Sequence, residues 1–361
     1  MTKVRESEYL EWARSQGNIK YSLALSGVPP LDVSLLSPSA DDFTMVADNE
    51  YGWAPLLERI AQRYGTQPRN VVLAHGTSMA NHLACAALVE AGDHVLIERP
   101  VYDPLVAVPR YLGCEIGLFE RREEDGYGLD VGRVQAALNP RTRLVILSNL
   151  HNPTGALLNR ADLESLAQLA ERHDFHVLVD EVYLDWRYGT GDEPELRSAS
   201  NISPRFVTTR SLTKVFGLAA ARVGWILAEP ELATRIRRLN GLFASSMSHP
   251  AERLAARAFD HAEEIVANQR RRVATNRWVA TQFIDSQPRL SWIAPEFGTV
   301  GFVRLDGGSV DDLVESLLAK DSLVTPGRFF GAADHFRIGF GMGADHLREG
   351  LKRLGSALSG A

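Results

Sequence analysis

The sequence predicts an α/β protein, with a large domain built on a mostly parallel, seven-stranded sheet between helices and a smaller α+β domain. Two observations predict the large domain. Short apolar segments alternate with helical patterns from about residue 70 to residue 230, and several of these segments are nearly continuous in Val, Ile and Leu. Such strands are typical of a sheet covered by helices on both faces. The C-terminal third shows one strand–helix–strand–helix order, which predicts the second domain.

The individual elements of the large domain follow from these patterns. Seven candidate strands span residues 71–74, 94–98, 114–119, 144–147, 176–180, 206–209 and 223–228. Apolar residues at helical spacing predict one helix over residues 80–91, ended by Gly92, and another around residues 163–170.

The C-terminal third begins with residues 251–287, which contain no Gly or Pro and predict one long helix. A strand at 301–305, a helix at 310–318, a strand at 336–340 and a closing helix at 347–358 follow. We therefore expect a large domain over residues 41–262. Residues 1–40 and 263–361 would form the small domain.

Composition excludes several classes of protein. The 361 residues carry a net charge of −6 and no long basic run, which argues against a dedicated nucleic-acid binder. No apolar stretch approaches the roughly 18 residues of a membrane span. Cys85 and Cys114 are the only cysteines, so no disulfide framework or CxxC metal motif is expected. Because the N-terminus lacks the apolar core of a secretory signal, the default expectation is a cytoplasmic, reducing environment.

Two charged residues follow predicted strands and are candidates for chemistry. Lys214 lies just beyond the strand at 206–209, at the sheet edge where open α/β sheets bind ligands. Its amine could be a nucleophile if it is desolvated or near a cation such as Arg222, although a surface lysine is the simpler interpretation. Asp180 ends an apolar strand. Its carboxylate either meets a cation, such as a protonated ring nitrogen of a cofactor, or caps the next helix.

Two further segments present polar groups at strand ends. Asn152 belongs to an Asn-Pro-Thr-Gly turn that would direct its amide to a ligand oxygen, and a plain turn is the alternative. Gly76, Thr77 and Ser78 open a predicted helix, where free backbone N–H groups favour a phosphate. Ser and Thr are also ordinary helix caps. The chain contains no GxxxxGK[ST], HExxH or GxSxG motif.

Together these segments resemble the class I and II aminotransferases, which belong to the fold-type I enzymes dependent on pyridoxal phosphate. The resemblance covers most of the chain, and the Ser-x-x-Lys-x-x-Gly-x-x-x-x-Arg-x-Gly spacing that begins at Ser211 is specific. The matching residues occur in this order: Tyr51-Gly52, Gly76-Thr77-Ser78, Tyr102, Asn152–Gly155, Asp180, Tyr183, Ser211, Lys214, Arg222 and Arg337.

The resemblance implies a role for each residue that would hold the cofactor. Lys214 is expected to form a Schiff base with pyridoxal phosphate and then to carry the proton from the substrate Cα. Asp180 would keep the pyridine nitrogen protonated, so that the ring accepts electrons. The remaining expected contacts are hydrogen bonds from Asn152 and Tyr183 to the ring oxygen, stacking by Tyr102, and phosphate binding by Gly76, Thr77, Ser78, Ser211 and Arg222.

The resemblance also implies contacts with the substrate and with a second subunit. Arg337, with Asn152, would bind the substrate α-carboxylate in bidentate fashion. Gly27 would lie on an N-terminal segment that closes over the substrate. Tyr51 would reach the phosphate of the neighbouring subunit, which implies a homodimer with shared active sites.

The function that the sequence predicts is transfer of an amino group from an L-amino acid to a 2-oxo acid. A C–S β-lyase, or another elimination or cyclisation enzyme, is an alternative because such enzymes share the lysine, the aspartate and the carboxylate clamp. A non-catalytic regulator is disfavoured because the resemblance begins within about the first thirty residues. The expected partners are small molecules and a second copy of the chain, with no metal, nucleic acid or membrane. Which amino acid reacts stays open.

Overall fold

The computed structural model describes residues 6–188 and 197–359. Across these residues the chain forms 13 strands and 11 α-helices. The strands are β1 (Tyr21–Ser22), β2 (Val71–Ala74), β3 (His94–Arg99), β4 (Glu115–Glu120), β5 (Thr142–Ser148), β6 (His176–Asp180), β7 (Phe206–Ser211), β8 (Gly224–Leu227), β9 (Leu290–Trp292), β10 (Val300–Leu305), β11 (Ser322–Leu323), β12 (Thr325–Pro326) and β13 (His335–Gly339). The helices are α1 (Glu8–Ser15), α2 (Ala54–Tyr64), α3 (Gly76–Leu88), α4 (Pro104–Tyr111), α5 (Val131–Ala137), α6 (Arg160–His173), α7 (Pro230–Asn240), α8 (His249–Asp260), α9 (Ala262–Asp285), α10 (Val310–Leu318) and α11 (Ala344–Ser359).

The large sheet has seven strands in the order β2-β8-β7-β6-β5-β3-β4. Strand β8 is antiparallel to both of its neighbours, and the other adjacent pairs are parallel. The predicted seven-stranded, mostly parallel sheet is thus confirmed. Because β5, β6 and β7 are parallel neighbours, their carboxyl ends lie side by side at one edge of the sheet.

Helices cover both faces of this sheet, which explains why its strands are so apolar. Along β5, Leu144 and Ile146 pack into the apolar cluster that contains α3 and α7. The alternating residues Val145 and Leu147 pack into the cluster that contains α6. Since successive side chains of a strand point to opposite faces, a strand buried on both faces is apolar at nearly every position.

The C-terminal elements form a second, antiparallel sheet of four strands in the order β12-β13-β10-β9. Strand β1 from the N-terminus pairs with β11 in a separate two-stranded sheet. This pairing supports our proposal that residues 1–40 belong with residues 263–361 in one small domain. Of the helices in the described parts of the chain, none combines the length and apolar character that crossing a bilayer requires.

The prediction of one helix over residues 251–287 is wrong. Helix α8 ends at Asp260 and α9 begins at Ala262, with His261 between them at φ −106° and ψ 11°. The two helices are held by different parts of the fold. Phe259 of α8 packs on Trp225 of the large sheet, with 5.4 Å between the ring centroids. Asn276 of α9 donates hydrogen bonds to backbone carbonyls beyond β13.

The prediction that Gly92 ends the preceding helix is also wrong. Helix α3 ends at Leu88, and Val89 is already extended at φ −131°. The buried side chain of Val89 joins the apolar cluster beneath α3. Gly92, at φ +93°, instead forms the turn that leads into β3, so tertiary packing ends the helix before the glycine does.

Candidate active site

A cavity of about 530 Å³ lies at the carboxyl ends of β5, β6 and β7. It is lined by nine residues that the sequence singled out: Thr77, Ser78, Tyr102, Asn152, Asp180, Tyr183, Ser211, Lys214 and Arg222. Three others, Gly27, Gly76 and Arg337, lie just behind this lining. The sheet edge therefore brings together residues that are far apart in the sequence, from Thr77 to Arg222 among these nine.

Lys214 extends into the cavity from the loop after β7. Its Nζ donates a hydrogen bond to Ser26 Oγ at 2.9 Å. Burial lowers the pKa of the amine, and the cationic side chains of Arg337 and Arg222 lower it further, against the opposing effects of Tyr9 and Asp180. A lowered pKa leaves more of the amine neutral, which is the form that attacks an aldehyde.

Asp180 ends β6 at the floor of the cavity. Asn81 Nδ2 donates to its Oδ2 at 3.0 Å, and the Val182 N–H donates to its Oδ1 at 3.1 Å. Burial nevertheless raises the pKa of this carboxyl to about 6. Because burial disfavours the ionised form of Asp180, a cation placed beside the carboxylate would stabilise that form. The protonated ring nitrogen of pyridoxal phosphate would be such a cation.

The first turn of α3 forms an anion cradle beside Lys214. The helix begins at Gly76, and the side chain of His75 does not cap it. Thr77 Oγ1 is buried without a hydrogen-bond partner among the described residues. Arg222 lies over this turn, where its Nη2 donates to the His75 carbonyl at 3.2 Å. Free helix N–H groups, an unpaired hydroxyl and a guanidinium together fit the cofactor's phosphate.

Gly76 is the one residue of this cradle that tolerates no side chain. Its φ is +77°, and a Cβ at this position would lie 2.3 Å from Arg222 Nη2. Replacing Gly76 with alanine is therefore expected to displace Arg222 and to weaken cofactor binding at least about tenfold, since charge-assisted hydrogen bonds to the phosphate would be lost. Cofactor affinity, measured by titrating the apoenzyme with pyridoxal phosphate, checks this.

The matched control is Gly92→Ala. Gly92 also has a positive φ, at +93°, but a Cβ there meets nothing within 4 Å. Both variants carry backbone strain, so only a difference between them reports on the displaced guanidinium. Equal affinity for the cofactor in the two variants would contradict the role of Gly76.

Arg337 lies in the centre of the four-stranded sheet, on β13, and is fully buried. Its Nη1 donates to Asn152 Oδ1 at 2.9 Å, and its Nη2 donates to the Ala24 carbonyl at 3.0 Å. Its Nε has no hydrogen-bond partner in the described chain. Among the described residues no carboxylate pairs with this buried guanidinium, which contacts Asn152 of the cavity lining, so it can bind a carboxylate from a ligand.

Two glycines bring the N-terminal segment against Arg337. A Cβ on Gly339 would lie 1.7 Å from the Leu25 carbonyl oxygen, and one on Gly341 would lie 2.1 Å from the Gly27 carbonyl oxygen. Only glycine permits this approach of two backbones. As a result Gly27 is beside Lys214, where its own Cβ would lie 3.8 Å from the lysine Cδ.

The three predicted tyrosines differ in their surroundings. Tyr102 lines the cavity and contacts Tyr9 edge-on, with 5.5 Å between ring centroids. Tyr183 also lines it, and burial raises the pKa of its phenol to about 12. Tyr51 is 59% exposed and lies outside the cavity lining of its own chain. Stacking by Tyr102, and contact of Tyr51 with a neighbouring subunit, stay predictions.

Sequence reasoning missed two residues of the site, Tyr9 and Asn81, and it placed Ser26 beside Gly27 in the N-terminal segment without giving it a role. Asn81 was detectable, because Thr77 and Asn81 are four residues apart and lie on the same face of a helix. The hydroxyl of Thr209 on β7 fixes its amide, donating to Asn81 Oδ1 at 2.5 Å. Tyr9 and Ser26 carry no comparable signal, since no motif surrounds them.

Comparison with known proteins agrees with this geometry. The family model "Aminotransferase class I and II" matches residues 49–354. Capreomycidine synthase of Streptomyces vinaceus is 32% identical over 91% of this chain and 85% of its own length. Arginine–pyruvate transaminase of Pseudomonas aeruginosa is 28% identical over 96% and 92%. A solved pyridoxal-phosphate-dependent aminotransferase from Streptococcus suis superposes with a TM-score of 0.90, at 26% identity, over 99% of this chain and 98% of that one.

Proposed function

Because this chain belongs to the class I and II aminotransferases, whose members use pyridoxal phosphate, we propose that it transfers the amino group of an L-amino acid to a 2-oxo acid. One observation carries the proposal. The amine of Lys214, with its lowered pKa, and the buried carboxylate of Asp180 line the same cavity, next to an anion cradle. These are the three groups that the aldehyde, the ring nitrogen and the phosphate of the cofactor require.

The residues around the cofactor have separate tasks in this reaction. When bound, pyridoxal phosphate supplies an aldehyde and an electron-accepting ring. Asp180 keeps the ring nitrogen protonated, and Asn81 holds the carboxylate in place. Lys214 Nζ, once released, takes the proton from the substrate Cα. Ser26 Oγ, which accepts a hydrogen bond from Nζ, positions the amine for this transfer.

The carboxylate of the substrate would bind Arg337 and Asn152. The guanidinium and the amide are already joined by a hydrogen bond of 2.9 Å, so the site is organised before the substrate arrives, which lowers the cost of binding. Fixing the carboxylate would orient the substrate for removal of its Cα proton by Lys214.

We also propose that the working form is a homodimer. Several large apolar side chains between residues 33 and 51 are exposed, Met45 by 84% and Val46 by 86%, and Leu242 is exposed by 80%. A second copy of the chain would cover such a face, as large exposed apolar surfaces mark protein contacts. Tyr51 lies within this segment, so the same contact would carry it to the partner's phosphate site.

A second candidate function is cyclisation or elimination on the same residues. It is favoured by the 32% identity to a capreomycidine synthase, because the name of that enzyme describes the synthesis of a product and not the transfer of an amino group. A C–S β-lyase would use the same lysine, aspartate and arginine. In an elimination Lys214 would remove the proton from Cα, a group would leave from Cβ, and the nitrogen would be released as ammonia. In a cyclisation Lys214 would again remove the Cα proton, but a new bond would form between two atoms of the same substrate and the product would keep its nitrogen.

Product analysis separates these functions. The holoenzyme is incubated with single L-amino acids, beginning with L-arginine, with and without pyruvate as acceptor. We expect 2-oxo acid in excess of one equivalent per active site only when pyruvate is present, with one alanine formed for each oxo acid in that excess. Release of ammonia without acceptor, or a product that keeps its nitrogen, would overturn the proposal in favour of elimination or cyclisation.

A further inference from the structure

Helix α1 covers one end of the cavity. Ser7, Tyr9, Leu10 and Ala13 from this part of the chain line the cavity, and Tyr9 is half-buried there. Asp103, which precedes α4, accepts hydrogen bonds from the Ser7 hydroxyl and from the Tyr9 backbone N–H. Trp12 packs on Phe329, with 5.1 Å between ring centroids.

Tyr9 is the residue of α1 that reaches the carboxylate site. Its phenol oxygen accepts a hydrogen bond from Arg337 Nη2 at 3.1 Å. Within the described chain this is the only hydrogen bond of the hydroxyl, so its hydrogen remains available to donate. The ring contacts Tyr102 and Phe330 and lies 5.7 Å from the Arg337 guanidinium carbon. These contacts fix where the hydroxyl points.

The electrostatic surroundings of the phenol suit a bound anion. Burial raises the pKa of Tyr9, but the positive charges of Arg337 and Lys214 outweigh it and lower the pKa overall. Two cations therefore act on this one hydroxyl from β13 and from the loop after β7. A carboxylate bound at Arg337 would meet the guanidinium and the phenolic O–H together.

We propose that Tyr9 completes the carboxylate site: it holds the Arg337 guanidinium and donates its phenolic hydrogen to the carboxylate of the bound amino acid. This inference rests on the proposed function, in which Arg337 binds that carboxylate. It makes α1 the element that closes the site, because docking of the helix delivers the donor. Tyr9 is a specificity-determining residue for amino acids over amines and amides.

The test compares a carboxylate with its uncharged counterpart. The probes are 2-methylalanine, which has no Cα hydrogen to transfer, and its carboxamide. Their affinities for the holoenzyme are measured from the visible absorption of the bound cofactor. We expect Tyr9→Phe to weaken binding of 2-methylalanine about tenfold or more, because a hydrogen bond to a charged group is lost. The affinity for the carboxamide should stay unchanged. Turnover should show a raised KM with little change in kcat.

Two variants make the outcome unambiguous. Tyr21→Phe removes a tyrosine hydroxyl on β1, next to His346 and Arg353 and outside the cavity lining, and should change neither affinity. Arg337→Lys tests the carboxylate site itself. If Tyr9→Phe binds the acid like the wild type, or weakens acid and amide equally, the role of Tyr9 is wrong while the proposed function stands. If Arg337→Lys also leaves acid binding unchanged, the assignment of the carboxylate site fails with it.

Discussion

Replacing Lys214 with alanine is expected to lower turnover by about a thousandfold or more, because its amine is the group that we propose takes the proton from Cα. General acid–base catalysis alone contributes about 10²- to 10⁴-fold, and the variant also loses the amine that would bind the cofactor covalently. Steady-state rates with an amino donor that the product analysis has shown to react, at saturating cofactor, measure the effect.

The control and the rescue sharpen this experiment. Lys20→Ala removes an exposed lysine near β1, outside the cavity lining, and should leave turnover unchanged. Ethylamine added to Lys214→Ala should restore part of the rate, since a small amine can occupy the space of the lost side chain and accept the proton. A variant that keeps more than about a tenth of wild-type activity would show that another base does this work.

Replacing Asp180 with asparagine is expected to lower turnover while raising the stability of the cofactor-free protein. Turnover should fall on the order of 10²- to 10³-fold, as is usual when a preorganised charge that stabilises a transition state is removed. The cofactor-free protein should instead become more stable at neutral pH. With a pKa of about 6, the carboxyl is held ionised at some cost in the fold.

The sign of the pH dependence follows from the raised pKa. The fold favours the neutral carboxyl, so this group contributes stability below its ordinary pKa of about 4 and loses that contribution as the pH rises through about 6. A shift of about two pKa units corresponds to roughly 3 kcal/mol as an upper limit. Urea unfolding of the cofactor-free wild type and Asp180→Asn between pH 4 and pH 7.5 should show a difference that grows with pH.

Asp185→Asn is the matched control, because Asp185 is an equally buried carboxylate outside the cavity. Arg63 at 2.8 Å and Arg210 at 3.1 Å pair with it. Burial raises its pKa, but these guanidinium groups outweigh burial and lower it. The same substitution should therefore destabilise the protein there, by about 3 kcal/mol or more. Destabilisation of similar size in both variants would contradict the raised pKa assigned to the buried Asp180 carboxyl.

The large domain was predictable because its signals are local and repeated. Each strand that is buried on both faces is an apolar run, and each helix between them shows a periodic apolar face. The break at His261 has no such signal, because contacts of α8 and α9 with different sheets impose it. Strands β1, β11 and β12 are two residues long, too short for alternation to be visible in the sequence.

The residues of the candidate site also fall into those that local sequence motifs predict and those that only the folded chain brings into place. Lys214, Asp180 and Asn152 occur in motifs with fixed spacing at strand ends, so the sequence shows both their presence and their common edge. Tyr9 depends on the placement of one N-terminal helix against a strand more than 300 residues later. No local pattern encodes such a contact, and only the folded chain shows it.

The most direct test of the whole account is to find which lysine holds the cofactor. The purified holoenzyme is reduced with borohydride and digested, and the peptides are analysed by mass. The chain has five lysines. We expect a pyridoxyl phosphate adduct on the peptide that contains Lys214 and on no other peptide. An adduct on Lys3, Lys20, Lys320 or Lys352, or no adduct in a protein that binds the cofactor, would contradict this assignment.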